Sequence, residues 1–242
     1  MNNRVLIGLI TLCASQISLA NNLLDFRPTV LSVNLGPAWT SSGYSQTITL
    51  LPNVMNRYVS SDQTHSFFNG ELFVGWKKSW TDAYLTHLGL AVDVTNSLRL
   101  NGAVWQMANP LFDNELYSYK VNHTHVAFKG KIIDQSFQSI SPYLFGSLGV
   151  GFNRAYGYNN APTITSVIAS PNFTQNTQTA FTYTVGTGFQ RHLTKTFTMG
   201  IEYEFGDWGK SQLSSAPYQT IGNGLSLQHM YYNGFNVNLT WS

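Results

Sequence analysis

The feature of this chain that most restricts its fold is a two-residue alternation of apolar side chains with glycine or small polar ones. Successive side chains of a β-strand point to opposite faces, so each such stretch predicts a strand with one apolar and one small or polar face. The last twelve residues, YYNGFNVNLTWS, show the pattern most clearly. Their alternating apolar members are Phe235, Val237, Leu239 and Trp241.

Seven earlier stretches repeat this alternation, so the sequence predicts eight strands. They are LSVNLG from Leu31, GELFVGW from Gly70, THLGLAVDV from Thr86, YSYKVNHTHVAFKGK from Tyr117, PYLFGSLGVGF from Pro142, FTYTVGTGFQ from Phe181 and FTMGIEYEFG from Phe197. In the stretch from Tyr117, the apolar residues change from odd to even positions between His123 and His125. We expect a β-bulge there, because one extra residue reverses the phase of a strand.

The gaps between these strands alternate in length. Residues 41–65, 96–115, 155–177 and 208–224 form long gaps, whereas 78–83, 131–141 and 191–195 are short and gather charge, with Lys129 and Lys131 assigned to one of them. Barrels of the outer membrane have tight periplasmic turns and longer extracellular loops. The sequence therefore predicts an all-β fold, a single eight-stranded antiparallel up-and-down transmembrane β-barrel with both ends at the periplasm.

The low charge of the chain supports a membrane location. Only 10% of the residues are Asp, Glu, Lys or Arg, against about 25% in ordinary globular domains. An eight-stranded barrel has room inside for side chains only, so we expect the small and polar faces inside and the apolar faces against lipid. A lipocalin-like barrel with these faces reversed is the alternative.

The first twenty residues, MNNRVLIGLITLCASQISLA, have the pattern of a secretory signal peptide. Cleavage after Ala20 would remove Cys13, the only cysteine, and leave a barrel domain of residues 21–242. The formal net charge is +2 without a concentrated basic patch, so we expect no nucleic-acid partner. The predicted location is the outer membrane of a Gram-negative cell.

The stretches GELFVGW, PYLFGSLGVGFNRA, FTYTVGTGFQ, MGIEYEFGDWG and NVNLTWS resemble the opacity-type surface antigens and OmpA-like barrels of Gram-negative outer membranes. This resemblance implies a surface or structural protein whose long loops contact an extracellular ligand, in adhesion or envelope integrity. It also implies as partners outer-membrane lipid, lipopolysaccharide, periplasmic chaperones and the barrel-assembly machinery. In this family the machinery reads a final aromatic residue, whereas here Trp241 is followed by Ser242. A narrow porin-like channel and a lipid A-modifying enzyme are the alternatives.

The charged residues expected on the inner faces suggest a polar network that fills the lumen. Its predicted members are Glu71, Asp93, Lys120, Glu202 and Glu204, with Arg154 as a further cation. Buried charges must be paired, which favours such a network. The alternative is a catalytic or proton-handling pair formed by Glu202 and Glu204.

Other candidate sites carry weaker signals. His123 and His125 share a strand face, but two imidazoles without a further ligand make a poor metal site, so we expect a structural role. His65 with Ser66, or His229, are the candidates for an enzyme, and no spacing favours them. We predict no catalytic residue, cofactor or metal. Aromatic residues near strand ends predict interfacial girdles: Trp76, Trp80, Tyr84, Tyr117, Tyr119, Tyr231 and Trp241.

The apolar residues in the long gaps 41–65 and 96–115 support two interpretations. They form an adhesive surface, or the strands extend beyond the membrane and the loops pack over the barrel mouth.

Overall fold

The structure is a computed structural model that describes residues 29–41, 43–61, 64–137, 139–165 and 167–242. The predicted signal peptide and its cleavage site lie outside these ranges. The strands are β1 Val30–Thr40, β2 Gln46–Leu51, β3 Val54–Ser60, β4 His65–Ser79, β5 Tyr84–Thr95, β6 Leu98–Trp105, β7 Asp113–Asp134, β8 Ser141–Pro162, β9 Asn176–His192, β10 Phe197–Asp207, β11 Ser211–Gln212, β12 Ser226–Leu227 and β13 Tyr231–Trp241. Two 3₁₀ turns, Gln106–Ala108 and Pro110–Phe112, follow β6.

Eight of these strands form an antiparallel ring in the order β1, β4, β5, β7, β8, β9, β10, β13. Strand β13 also pairs with β1, with Trp241 opposite Leu31, so the ring returns to its first strand. The connections 80–83, 135–140 and 193–196 at one end are short, and β1 begins and β13 ends at the same end. This arrangement confirms the predicted eight-stranded barrel and identifies that end as periplasmic.

The outer face of the barrel is apolar, as the alternation predicts. Side chains on this face are more than half exposed in seven of the eight ring strands, namely Phe68, Leu90, Phe128, Leu144, Phe181, Ile201 and Phe235. The intervening residues, such as Asn34, Thr184 and Asn236, are buried inside. Soluble monomers rarely expose so large an apolar surface, so the belt fits the hydrocarbon of a membrane. The lipocalin-like alternative is wrong. In the described ranges, no helix is long and apolar enough to cross a membrane.

Strands β7 and β8 continue far beyond this belt. Each has 22 residues, which at about 3.4 Å per residue and a tilt of about 45° span about 50 Å, twice the roughly 25 Å of apolar band. Strand β6 pairs with the upper part of β7, β3 with β6, and β2 with β3. The gaps 41–65 and 96–115 therefore contain strands of an extracellular sheet.

An apolar cluster, here called the extracellular core, fills the interior of this projecting half. Its largest members are Tyr58, Phe67, Tyr117, Tyr119, Tyr158, Phe173, Trp208 and Tyr232. The prediction that Tyr117 and Tyr119 lie in a membrane girdle is wrong, because their side chains are only 6% and 4% exposed. The side chains of the other predicted girdle residues are between 40% and 64% exposed.

The expected bulge between His123 and His125 is absent. Odd-numbered residues of β7 point inward from Glu115 to Ile133, and the pairing with β8 is regular across His123 and His125. The register shifts instead between Ser118 and Lys120. The apparent change of phase has a different cause: the interior is apolar outside the membrane and polar within it.

Candidate functional site

The four predicted acidic residues of the network lie together inside the barrel. Glu71, Asp93, Glu202 and Glu204 are all at most 5% exposed. The Glu71 carboxylate accepts hydrogen bonds from Asn34 Nδ2 at 2.5 Å and from Lys129 Nζ at 2.6 Å. This ion pair joins β4 to β7 across the lumen, because the two strands are not neighbours in the ring.

The predicted cation of this network, Lys120, is not part of it. Lys120 lies on the outer face of the extracellular sheet, because even-numbered residues of β7 point outward. In the strand register it is opposite the exposed Arg99 of β6. Arg154 is also exposed and bonds Gln175. Lys129 and Lys131 supply the buried cations instead, although sequence reasoning assigned them to a periplasmic turn. Strand β7 runs to Asp134, so both lysines lie within the strand, on the inward face that they share with His125.

Tyrosine hydroxyls and aromatic rings complete the lumen. Tyr143 donates to Glu202 at 2.9 Å, and Tyr232 donates to Glu204 at 2.5 Å. The ammonium group of Lys129 lies 4.3 Å from the centre of the Phe145 ring. Lys131 lies 3.6 Å from that of Tyr143. Such cation–π contacts partly replace the water that these charges have lost.

The space left inside this polar layer is very small. Glu71, Lys129, Lys131, Glu202 and their neighbours line a cavity of about 10 Å³, room for about one water molecule. A pore requires a continuous water-filled path, and the side chains fill the lumen at this level. The geometry therefore gives no support to the channel alternative.

A second buried group, formed by Asp93, His123 and His125, lies on the extracellular side of the two lysines. His125 is directly opposite Asp93 on β5, and His123 follows on the same face of β7. His123 Nε2 lies 2.9 Å from His125 Nδ1, which is 3.9 Å from Asp93 Oδ1. Nothing in the sequence marks Asp93 as a partner of the two histidines, because the register between β5 and β7 brings the three together.

Among the residues that the structure describes, the enzyme candidates do not form a hydrogen-bonded pair of serine and histidine. His65 and Ser66 are consecutive in β4, so their side chains point to opposite faces. His229 Nδ1 bonds Asp207 Oδ2 at 2.7 Å, and in the described ranges no serine hydroxyl is hydrogen-bonded to His229. Glu202 and Glu204 each accept a hydrogen bond from a tyrosine hydroxyl, in an interior that side chains fill.

Outside the membrane, a fully buried carboxylate ties the connections together. Glu115 is 0% exposed and accepts from Gln106 Nε2 at 2.5 Å, Asn160 Nδ2 at 2.8 Å and the Ser170 hydroxyl at 2.9 Å. The Ser170 amide also donates to it, at 3.1 Å. Burial raises the pKa of nearby Tyr58 above its ordinary value, and burial also raises the pKa of Tyr117 to about 12.

The outermost surface is apolar. We call Met55, Met107, Leu111, Phe112 and Ile168 the apolar tip; their side chains are between 40% and 89% exposed. The Met107 amide donates to Asn56 Oδ1 at 3.2 Å, and Gln106 Nε2 donates to the Ile168 carbonyl at 3.2 Å. These contacts bring three segments of the chain to one surface.

Positive backbone φ angles occur in the extracellular connections, including the one that carries Met107 of the apolar tip. Within the described ranges, four non-glycine residues have positive φ, namely Asn53, Met107, Ala108 and Tyr218, at 55° to 66°. All four lie in extracellular connections, and the Tyr218 side chain is 93% exposed. Strained residues of this kind persist only where surrounding contacts hold them, and they are common at binding surfaces.

Comparison with solved structures identifies the fold. The outer membrane protein OprG from Pseudomonas aeruginosa matches with a TM-score of 0.51 at 11% identity, over 89% of this chain and 97% of that chain. The outer membrane protease OmpT from Escherichia coli matches with a TM-score of 0.51 at 8% identity, over 91% and 99%. No family model and no curated protein matches. The resemblance to outer-membrane barrels is therefore confirmed for the fold.

Proposed function

We propose that this outer-membrane barrel is a surface protein that attaches the cell to apolar surfaces through its apolar tip. The exposed belt and the fold place the barrel in the outer membrane of a Gram-negative cell, surrounded by lipid and lipopolysaccharide. The filled lumen makes the barrel an anchor. Periplasmic chaperones and the barrel-assembly machinery are its proposed partners during insertion, with Phe235, Val237, Leu239 and Trp241 of β13 as the strand they read.

The observation that carries this proposal is that the apolar tip is exposed on a rigid support. Leu111 and Ile168 are 86% and 89% exposed, and exposed apolar patches of this kind often mark interaction sites. The extracellular core and the Glu115 hydrogen bonds hold the connections beneath them. A preordered surface loses little entropy on binding, so such a tip is suited to adhesion.

We expect the triple variant Met107→Ser, Leu111→Ser, Ile168→Ser to abolish most of the attachment. Adhesion of expressing cells to alkyl-coated glass beads should fall about tenfold or more, because a lost contribution of only about 1.4 kcal/mol weakens binding tenfold. Hydroxyl-coated beads provide the reference surface, and adhesion is measured by counting attached cells under flow.

The matched control replaces Phe137, Ile140 and Leu193 with serine. These side chains are also apolar and more than half exposed, between 51% and 58%, but they lie in periplasmic turns. This variant should attach like the wild type. Equal attachment of the tip variant and the wild type, with equal amounts of protein at the surface, would refute the proposal.

A further inference from the structure

We propose that the barrel interior binds one divalent transition-metal ion of the zinc class through Asp93, His123 and His125. One ligand atom from each residue lies within 4.8 Å of the others, and all three residues are buried. Two imidazole nitrogens and one carboxylate oxygen are a common ligand set for zinc and neighbouring first-row metals, with a water molecule in the fourth position. This site is independent of the adhesive function proposed above.

The hydrogen bonds around His123 leave its Nε2 free of a proton. Asn153 Nδ2 donates to the carbonyls of Trp208 and Lys210 at 2.7 and 2.8 Å, so the amide oxygen of Asn153 is the atom that faces His123. His123 Nδ1 must therefore donate to that oxygen, at 2.6 Å. The lone pair of Nε2 then points towards His125 and Asp93. A metal ligand needs this tautomer, and outer hydrogen bonds of this kind usually fix it.

Asp93 supplies the second argument. Its Oδ1 atom is buried without a hydrogen-bond partner in the part of the chain that the structure describes. A buried carboxylate oxygen without a donor or a cation is costly, by several kcal/mol if the group is charged. A metal ion between Asp93 and the two imidazoles would satisfy this oxygen.

The charge balance of the lumen leads to the same conclusion. Glu71, Asp93, Glu202 and Glu204 carry four negative charges when ionised, and Lys129 and Lys131 carry two positive charges. A divalent cation would neutralise the remaining two. The alternative is that two of the carboxylates hold protons, which would leave the Asp93 oxygen without a cation.

The surroundings limit the site on its outer side. The Trp208 ring stacks on His123 with centroids 4.4 Å apart and planes 11° apart. Gly151 lies opposite His125 in β8, where a Cβ atom would be 2.8 Å from His123 Cε1. The metal would thus join β5 to β7 below the extracellular core, and it must enter before the barrel closes.

The test is to refold the chelator-treated protein in detergent with and without Co²⁺, which substitutes for zinc and absorbs visible light in a tetrahedral site. Wild type should take up one Co²⁺ per chain, measured by metal analysis, with a tetrahedral spectrum that Zn²⁺ abolishes. Asp93→Asn and His123→Gln should weaken Co²⁺ binding about tenfold or more. Heat-modifiable migration on gels monitors folding of every variant.

The matched control is Glu202→Gln, which removes the same charge from the lumen without touching a ligand. It should retain the spectrum and bind Co²⁺ within about threefold of wild type, less than the effect expected when a ligand is removed. Folded wild type that takes up no Co²⁺ during refolding would overturn the proposal. Equal weakening by Glu202→Gln and Asp93→Asn would also overturn it, because the lumen would then attract cations only through its charge.

Discussion

Replacing Lys129 with methionine is expected to destabilise the barrel by about 3–5 kcal/mol, the usual cost of removing one partner of a buried ion pair. Lys129 Nζ lies 2.6 Å from Glu71 Oε1, and both side chains are at most 5% exposed. Methionine has a similar length and keeps a favourable contact with the Phe145 ring. The lost stability therefore measures the cost of leaving the buried Glu71 charge without its partner. Urea unfolding in lipid vesicles, followed by tryptophan fluorescence, measures it.

Two further variants identify the cause. Lys77→Met removes an exposed lysine of β4 and should change the unfolding free energy by less than about 0.5 kcal/mol. Adding Glu71→Gln to Lys129→Met should restore much of the lost stability, because neither buried charge then remains. A Lys129→Met protein as stable as the wild type would show that Glu71 does not depend on this lysine.

Replacing Glu115 with alanine is expected to loosen the extracellular half while the barrel stays folded. Gln106, Asn160 and the Ser170 amide and hydroxyl would each lose one hydrogen bond to the carboxylate. A buried group without a partner costs about 1–3 kcal/mol, so we expect the local opening free energy to fall by about 3 kcal/mol. Amide hydrogen exchange around Gln106 and Ser170 should then be about a hundredfold faster.

The control for this variant is Asp113→Ala, because Asp113 is exposed and lies two residues earlier in the same strand. Its exchange rates should match those of the wild type. Peptides from β9 and β13 should stay protected in both variants. Unchanged exchange at Ser170 in Glu115→Ala would mean that the carboxylate does not hold these connections.

The sequence was sufficient to predict the barrel because each membrane-spanning strand borders two different environments. Lipid requires apolar side chains, and a narrow lumen accepts only small or paired polar ones, so residues such as Phe181 and Thr182 in β9 alternate strictly. The lengths of the gaps then distinguished the two ends. Both signals are local, so they can be recognised without knowing which strands pair.

The extracellular half was harder to predict because the rule reverses outside the membrane. There the interior is apolar and the exterior meets water, so Tyr117 and Tyr119 point inward like the polar His125 further along β7. The sequence shows only that the apolar phase changes. A bulge and a change of environment produce the same pattern, and the choice of a bulge misplaced Lys120. Lys129 was misplaced because it was assigned to a periplasmic turn.

The proximity of Asp93, His123 and His125 depends on the register between strands, which neither alternation nor gap length predicts. Alternation gives the face of a strand on which a residue lies, but the height at which two strands pair is set by the whole ring. Asp93 and His125 are opposite each other only in the observed register of β5 and β7. A shift of two residues would preserve every face and separate these side chains.

The most direct test of the account is photolabelling of the unmodified protein in bilayers that contain a diazirine-bearing lipid, with labelled residues identified by mass spectrometry. We expect labels on Phe181, Val185 and Phe189 of β9, whose side chains face the lipid, and none on Thr182, Thr184 and Gln190, which are buried inside. Labels on the second set in place of the first, or on both sets equally, would contradict it.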